Sequence, residues 1–178
     1  MMSAEQASQA SIPRIGSVTD ILLDGLFTGM IGALAVAVWF LVLDVVAGHP
    51  LYTPALLGDV LLHGSQSASR EVVIAPLQVA AFTAVHFLVF TVVGIVLSYL
   101  MTLFEQFPIM FFVLLVLFLC LQVGFFFMDL AVGAQLLGRL RPWTVVVANV
   151  LAALGMALYQ WRRHPSVLQG VEQLWRDE

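Results

Sequence analysis

The sequence has no lysine, one cysteine and little charge of either sign. Its seven basic residues are all arginines, only 10% of its 178 residues are charged, and its formal charge at pH 7 is -4. A basic surface is what holds a nucleic-acid backbone, so nucleic-acid binding is not expected. The single thiol, Cys120, excludes an intrachain disulfide, a paired-cysteine redox centre and a thiolate metal cage.

Apolar residues fill the chain instead. They make up 61% of it, and the mean hydropathy is +1.01, whereas soluble domains carry about 25% charged residues. A helix needs about 20 apolar residues to cross a bilayer, and its backbone polar groups must pair internally there. Segments of that length lie at about 21–47, 72–104, 108–130 and 143–161. The sequence therefore predicts an all-α fold, an integral membrane four-helix bundle in contact with the lipid bilayer.

Between the first two spans, the stretch LDVVAGHPLYTPALLGDVLLHG interrupts the apolar pattern at residues 43–64. Pro50 ends the first helix, Thr53 is predicted as an N-cap with Pro54 in the first helical position, and Gly64 ends the next helix. We therefore expect a short interfacial helix at about 54–63, too short to span. Its role is either a packing cap over the bundle or a lid for gating or substrate binding.

Four crossings would place both termini on one side of the membrane, here called face B. Residues 48–71 and the 139–141 link then lie on the other side, face A. Residues 1–20 are expected to be a flexible polar tail, and residues 162–178 a polar C-terminal tail. Face B carries four arginines against three on face A, and the sequence WRRH at 161–164 directly follows the last span. Face B is therefore predicted to be cytoplasmic.

Small residues recur at every fourth position of the first span. Such a ridge lets another helix approach closely, which predicts a packing seam within the bundle or between copies of the chain. The partners expected are therefore a homo-oligomer or a larger membrane complex. The ridge is formed by Gly25, Gly29, Ala33 and Ala37, and a similar row in the last span by Asn149, Ala153 and Ala157.

Ionisable residues inside spans are costly in lipid and usually serve a purpose. Counting along the helices places His86 near mid-membrane and Asp44, Asp129 and Asn149 in the half towards face A, where the loop 48–64 would cover them. In one interpretation the two aspartates pair with flanking arginines while His86 donates a hydrogen bond to a neighbouring helix. In the other, the group is a proton or ion site. The flanking arginines are Arg70, Arg139 and Arg141.

No pattern in the sequence indicates a catalytic or cofactor centre. Haem ligation by two histidines would need two of them inside the spans at one depth, and only His86 qualifies. No zinc-protease, phosphate-loop or nucleophile-elbow motif occurs. We therefore expect no catalytic residues, no metal and no cofactor, and a protein that is not an enzyme.

The segment from Asp44 through the loop Gly48 to Gly58 carries one family resemblance. An aspartate-bearing first helix leading into a Gly-x-Pro-h-h-x-Pro-h-h-h-Gly loop resembles small bacterial inner-membrane proteins with four spans. The resemblance implies that fold and the bacterial inner membrane, and no functional residue.

Two functions remain for such a chain. One is an accessory or scaffold subunit of a membrane assembly. The alternative is a small oligomeric proton- or ion-coupled transporter or channel that uses Asp44, His86 and Asp129. The first is favoured because charge deep in the membrane is scarce.

Overall fold

The computed structural model describes residues 17–64, 71–104 and 141–163. Within those ranges the chain forms four α-helices and no strand, which confirms the all-helical class. The helices are α1 (Val18–Val46), α2 (Tyr52–His63), α3 (Pro76–Phe104) and α4 (Pro142–Arg163). Helices α1, α3 and α4 are long and apolar enough to cross a membrane. The predicted span 108–130 lies outside the described residues, as do Asp129, Arg70 and Arg139.

Helix α1 begins three residues before the predicted start at 21, because Ser17 and Asp20 cap it reciprocally. The Ser17 hydroxyl oxygen accepts a hydrogen bond from the Asp20 N–H, and the Asp20 carboxylate accepts one from the Ser17 N–H. This capping box satisfies two backbone donors that a helix start leaves unpaired. Residues 17–20, predicted as part of the tail, thus form the helix start.

Proline placement explains the start of α3. The span was predicted from 72, but residues 71–75 are not helical and the helix begins at Pro76. Proline suits the first helical position, and its ring disfavours helical geometry at the residue before it. At the other boundary, α4 extends two residues past the predicted end at 161 and includes Arg162 and Arg163. Positive charge in the last turn stabilises a helix C-terminus.

Helix α2 begins at Tyr52, two residues before the predicted start at 54. Its N-cap residue is Leu51, with φ at 66°, and makes no side-chain capping bond. The prediction that Thr53 is the N-cap is therefore wrong, since Thr53 is the second residue of the helix. Gly64 follows the helix with φ at 85°, as predicted, because glycine accepts this conformation without a Cβ clash.

Helix α1 packs against both α3 and α4, and glycines bring the backbones of α1 and α3 into contact. A Cβ on Gly25 or Gly29 would clash with the α3 backbone at Ile95 and Phe90, and one on Gly94 would clash with the α1 backbone at Gly29. The pairing of early α1 residues with late α3 residues makes the two helices antiparallel. Contacts of Asp24 with Arg163 make α4 antiparallel to α1 as well. The start of α1 and the ends of α3 and α4 therefore share the face-B end.

Only part of the predicted ridge on α1 is packed. Gly25, Gly29 and Ala33 are buried, but Ala37 is exposed. A spacing of four residues exceeds one helical turn, so over twelve residues the row rotates by roughly 120° around the helix. The start of the row therefore faces the neighbouring helix, whereas its last residue, Ala37, points away from it.

The packed row of α4 differs from the predicted one. The predicted residues Asn149 and Ala153 are half-buried and Ala157 is exposed, whereas a row one position earlier is buried. Sequence spacing cannot distinguish the two rows, because each contains two alanines four residues apart. The buried row is Thr144, Ala148, Ala152, Met156 and Gln160.

Helix α2 packs on the first turn of α3. Gly58 lies so close to the Gln78 backbone that a side chain at position 58 would clash with it. Ala55 and Leu56 are fully buried beside this contact. Helix α2 is therefore a separate element placed at the face-A end of the described helices.

Candidate functional site

Asp44 near the end of α1 fastens the start of α2. Its side-chain oxygens accept hydrogen bonds from the Thr53 backbone N–H and the Thr53 hydroxyl, each at 2.7 Å. Asp44 is 6% exposed and Thr53 is 4% exposed, so both bonds are shielded from water. A helix start offers unpaired N–H groups and positive partial charge, which a carboxylate satisfies. Asp44 thus caps α2 from another helix.

The predicted pairing of Asp44 with an arginine is wrong for Arg141. Arg141 is exposed, and both Asp44 oxygens bind Thr53 instead. The backbone carbonyl of Arg141 caps α4 by accepting from the hydroxyl and N–H of Thr144. A capped helix start requires no arginine partner, because the capping N–H groups already stabilise the carboxylate.

His86 on α3 contacts α1 at the middle of the described spans. Its Nε2 lies 3.1 Å from the Ala33 carbonyl oxygen, which can only accept, so Nε2 carries the proton and donates. Aromatic rings surround the imidazole, with centroids at 5.4 Å for Phe82 and 4.8 Å for Phe90. His86 therefore joins α3 to α1 by one hydrogen bond in an aromatic setting.

Asp44 and His86 do not form a joint site. The α1 partner of His86 is Ala33, which lies 11 residues before Asp44, about 16 Å along the helix. Asn149 is half-buried on α4. The predicted cluster is therefore divided over different depths among the residues described.

The Trp39 indole N–H joins α1 to α4 by donating to the Thr144 carbonyl at 2.9 Å. Its ring also contacts Trp143 edge to face, with centroids 6.4 Å apart. An indole that leaves water needs an acceptor for its N–H, and this bond links α1 to α4 near face A.

The most connected polar group lies at the opposite end, and sequence reasoning missed it. Asp24 on α1 is 8% exposed, and its Oδ1 accepts from Arg163 on α4 twice, at 3.0 Å from Nε and 2.7 Å from Nη2. The Tyr159 hydroxyl donates to the same oxygen at 3.3 Å. A carboxylate inside a span would be costly alone, and this pairing offsets that cost.

One turn deeper, a second polar pair extends this group. Gln160 Nε2 donates to Thr28 Oγ1 at 3.0 Å, and the Thr28 hydroxyl donates to the Asp24 backbone carbonyl at 2.6 Å. Gln160 is 1% exposed and Thr28 is fully buried. We call Asp24, Thr28, Tyr159, Gln160 and Arg163 the face-B cluster.

The sequence contained a signal for the face-B cluster. Asp24 and Thr28 lie four residues apart and therefore on one face of α1, next to the glycine row. Gln160 and Arg163 are three apart on α4, at a depth that antiparallel packing brings to Asp24. The candidate residues chosen from the sequence did not include Asp24, although it lies inside the predicted span at 21–47, and so the face-B cluster was missed.

A smaller polar group lies on α2. The Asp59 carboxylate accepts from His63 Nδ1 at 2.8 Å and from Gln78 Nε2 at 3.4 Å, which links α2 to α3. His63 is exposed. Within the described ranges, no three histidine, cysteine or acidic side chains lie together as metal ligands would.

Comparison with protein-family models, with curated proteins and with solved structures finds no match for this chain.

Proposed function

We propose that this chain is an accessory or scaffold subunit of a membrane assembly. One observation carries the proposal: Asp24, Asp44 and His86 each form hydrogen bonds with another helix of the same chain. Ionisable groups inside a membrane either hold helices together or move protons and ions. The hydrogen bonds of these three residues support the first role.

The transporter alternative would use Asp44, His86 and Asp129, of which the structure describes Asp44 and His86. The separation of these two residues does not favour it. Coupled transport needs polar groups that meet around one site near the membrane centre. Asp24 and Asp44 lie near opposite ends of α1, and His86 contacts the residues between them. Each has its own partner at its own depth, so they form three separate connections between helices.

The ends of the described helices support four crossings. Helix α3 ends at face B and α4 begins at face A, since α1 is antiparallel to both. A fourth crossing at the predicted span 108–130 would join these two ends. We infer a four-span bundle in the bacterial inner membrane, with face B cytoplasmic because Arg162 and Arg163 end the last span.

Helix α2 is proposed to lie along the face-A boundary as an interfacial cap. Asp44 holds its start to α1, and Gly58 and Asp59 hold its middle to α3. With contacts to two spans, α2 fits a packing element better than a mobile lid.

The proposed assembly would form through the outward apolar faces. The glycine ridge of α1 is occupied by α3 of the same chain. Large apolar side chains on the outward faces stay exposed, including Leu88, Val92 and Val96 on α3. In a bilayer such surfaces contact lipid or another membrane helix.

The test is extraction of the tagged protein from its own membranes in a mild detergent. The mass of the complex is then measured and its components are identified. We expect an assembly of fixed composition, with a second protein or further copies of this chain. If the purified chain, as a monomer or as a homo-oligomer, carries pH-driven ion flux in proteoliposomes and loses the flux in Asp44→Asn, that result would contradict the proposal.

A further inference from the structure

The side-chain oxygen of Gln160 in the face-B cluster is a buried acceptor that receives no hydrogen bond from the described residues. Its side-chain nitrogen donates to the Thr28 hydroxyl at 3.0 Å, which directs the amide into the seam between α1 and α4. Its Oε1 has no hydrogen-bond donor within reach, although the residue is only 1% exposed. Buried amide oxygens in native proteins are nearly always paired with protein or water.

The Thr28 hydroxyl oxygen can accept one more hydrogen bond at the same place. Its hydroxyl proton goes to the Asp24 carbonyl, and one lone pair accepts from Gln160. A hydroxyl oxygen has two lone pairs, so one remains. The seam thus presents two neighbouring acceptors, Gln160 Oε1 and Thr28 Oγ1, that a molecule with two O–H donors would satisfy.

Ser98 on α3 is a second unmatched group at this end. It is 1% exposed, and its Oγ has no partner among the described residues. It lies one helical turn beyond Gly94, which contacts Gly25 and Gly29. Two buried polar groups on two helices therefore lack partners near face B.

We propose that a water molecule binds in the α1–α4 seam and donates to Gln160 Oε1 and Thr28 Oγ1. It enters from the face-B end, where Arg163 is exposed. Deeper in the membrane the seam is closed, because Met156 and Phe90 pack against Gly32. This hydration site is independent of the scaffold function proposed above.

Charge selects water over a metal cation as the ligand. The carboxylate nearest the site, that of Asp24, already accepts two bonds from the Arg163 guanidinium. A cation bound here would be repelled by that guanidinium, whereas a neutral donor would not. The two acceptors also match the two protons of water.

Water-edited solid-state NMR of the protein in lipid bilayers tests the proposal. Magnetisation should pass from water to the Gln160 side-chain amide and Thr28 nearly as fast as to Arg163, and slowly to buried Ala148 and Ala152. Equally slow transfer to Gln160 and to those alanines would overturn it. A melting temperature that depends on whether the buffer cation is sodium, potassium or a bulky organic amine would also overturn it, in favour of a cation site.

A variant pair localises the water. Gln160→Met removes the acceptor at similar volume and should slow transfer from water to Thr28. The control, Leu158→Met, changes an exposed apolar residue at a similar depth on the outward face of α4 and should leave that transfer unchanged. If Gln160→Met folds and Thr28 stays hydrated, the proposed position is wrong. If it does not fold, the measurement on the unmodified protein decides.

Discussion

Two glycines on α1, three residues apart, offer a matched test of the helix packing. A Cβ at Gly29 would lie 2.7 Å from Thr91 Cα and 2.8 Å from the Phe90 carbonyl carbon, both backbone atoms of α3. A Cβ at Gly32 would lie 2.6 Å from Met156 Cε, the end of a flexible side chain, and 2.8 Å from Phe90 Cδ1, an atom of the aromatic ring. At Gly29 the obstacle is the rigid backbone of α3. At Gly32 the Met156 side chain can rotate away.

The expected magnitudes follow from this difference. Carbon atoms pack at about 3.5–4.0 Å, so Gly29→Ala requires α3 to retreat by about 1 Å. Overpacking of this kind costs roughly 1–3 kcal/mol, while alanine gains up to about 1 kcal/mol in helix propensity. We expect a net loss of about 1 kcal/mol for Gly29→Ala and a smaller loss for Gly32→Ala, since the Met156 side chain can repack.

The assay is thermal unfolding of both variants in the same detergent, followed by circular dichroism. A loss of about 1 kcal/mol lowers the melting temperature by roughly 2–4 °C for a chain of this size. Size-exclusion chromatography would report whether the helices separate. Equal melting temperatures for Gly29→Ala and the unmodified protein, or equal losses at both positions, would refute the backbone contact between α1 and α3.

Three further changes test individual contacts. Asp44→Ala should lower the free energy of unfolding by about 1–2 kcal/mol. Asp44→Asn should lower it by less, because the amide oxygen still accepts from the Thr53 N–H. Equal losses for the two variants in chemical denaturation would argue against the cap. His86→Phe should lose about 1 kcal/mol, the usual value of one bond between membrane helices, and unchanged stability would remove that bond from the account. Trp39→Phe should also lose about 1 kcal/mol, because it removes the indole N–H that donates to the Thr144 carbonyl, and an unchanged free energy of unfolding would contradict that bond.

Hydropathy predicted three of the described helices as spans. Proline and glycine at the ends of helices predicted α2 as a separate helix. Span length is set by the bilayer, and Pro76 and Gly64 mark ends by local geometry. A helix boundary in the structure differs from the predicted one where a side chain from another part of the chain caps the helix. The start of α2 is the example, because Asp44 caps it from α1 and spacing in the loop cannot reveal that.

The candidate site was harder to predict than the fold. Asp44 and His86 were recognised as residues that need partners, but the sequence does not say which helix supplies them. Asp24 and Arg163 lie 139 positions apart. Their pairing depends on the antiparallel register of α1 and α4, which only the packed structure defines. For the same reason, the row predicted to be buried on α4 lies one residue after the row that is buried in the structure.

The contact between Asp24 and Arg163 tests most directly the claim that polar residues in these helices hold the chain together. A double-mutant cycle with Asp24→Asn and Arg163→Gln, measured by unfolding in detergent, isolates that interaction. We predict that each single change destabilises and that the double variant loses less than the sum. The adjacent exposed Arg162→Gln should change little and show no coupling to Asp24. Additive losses at Asp24 and Arg163, or coupling of equal size to Arg162, would contradict the account.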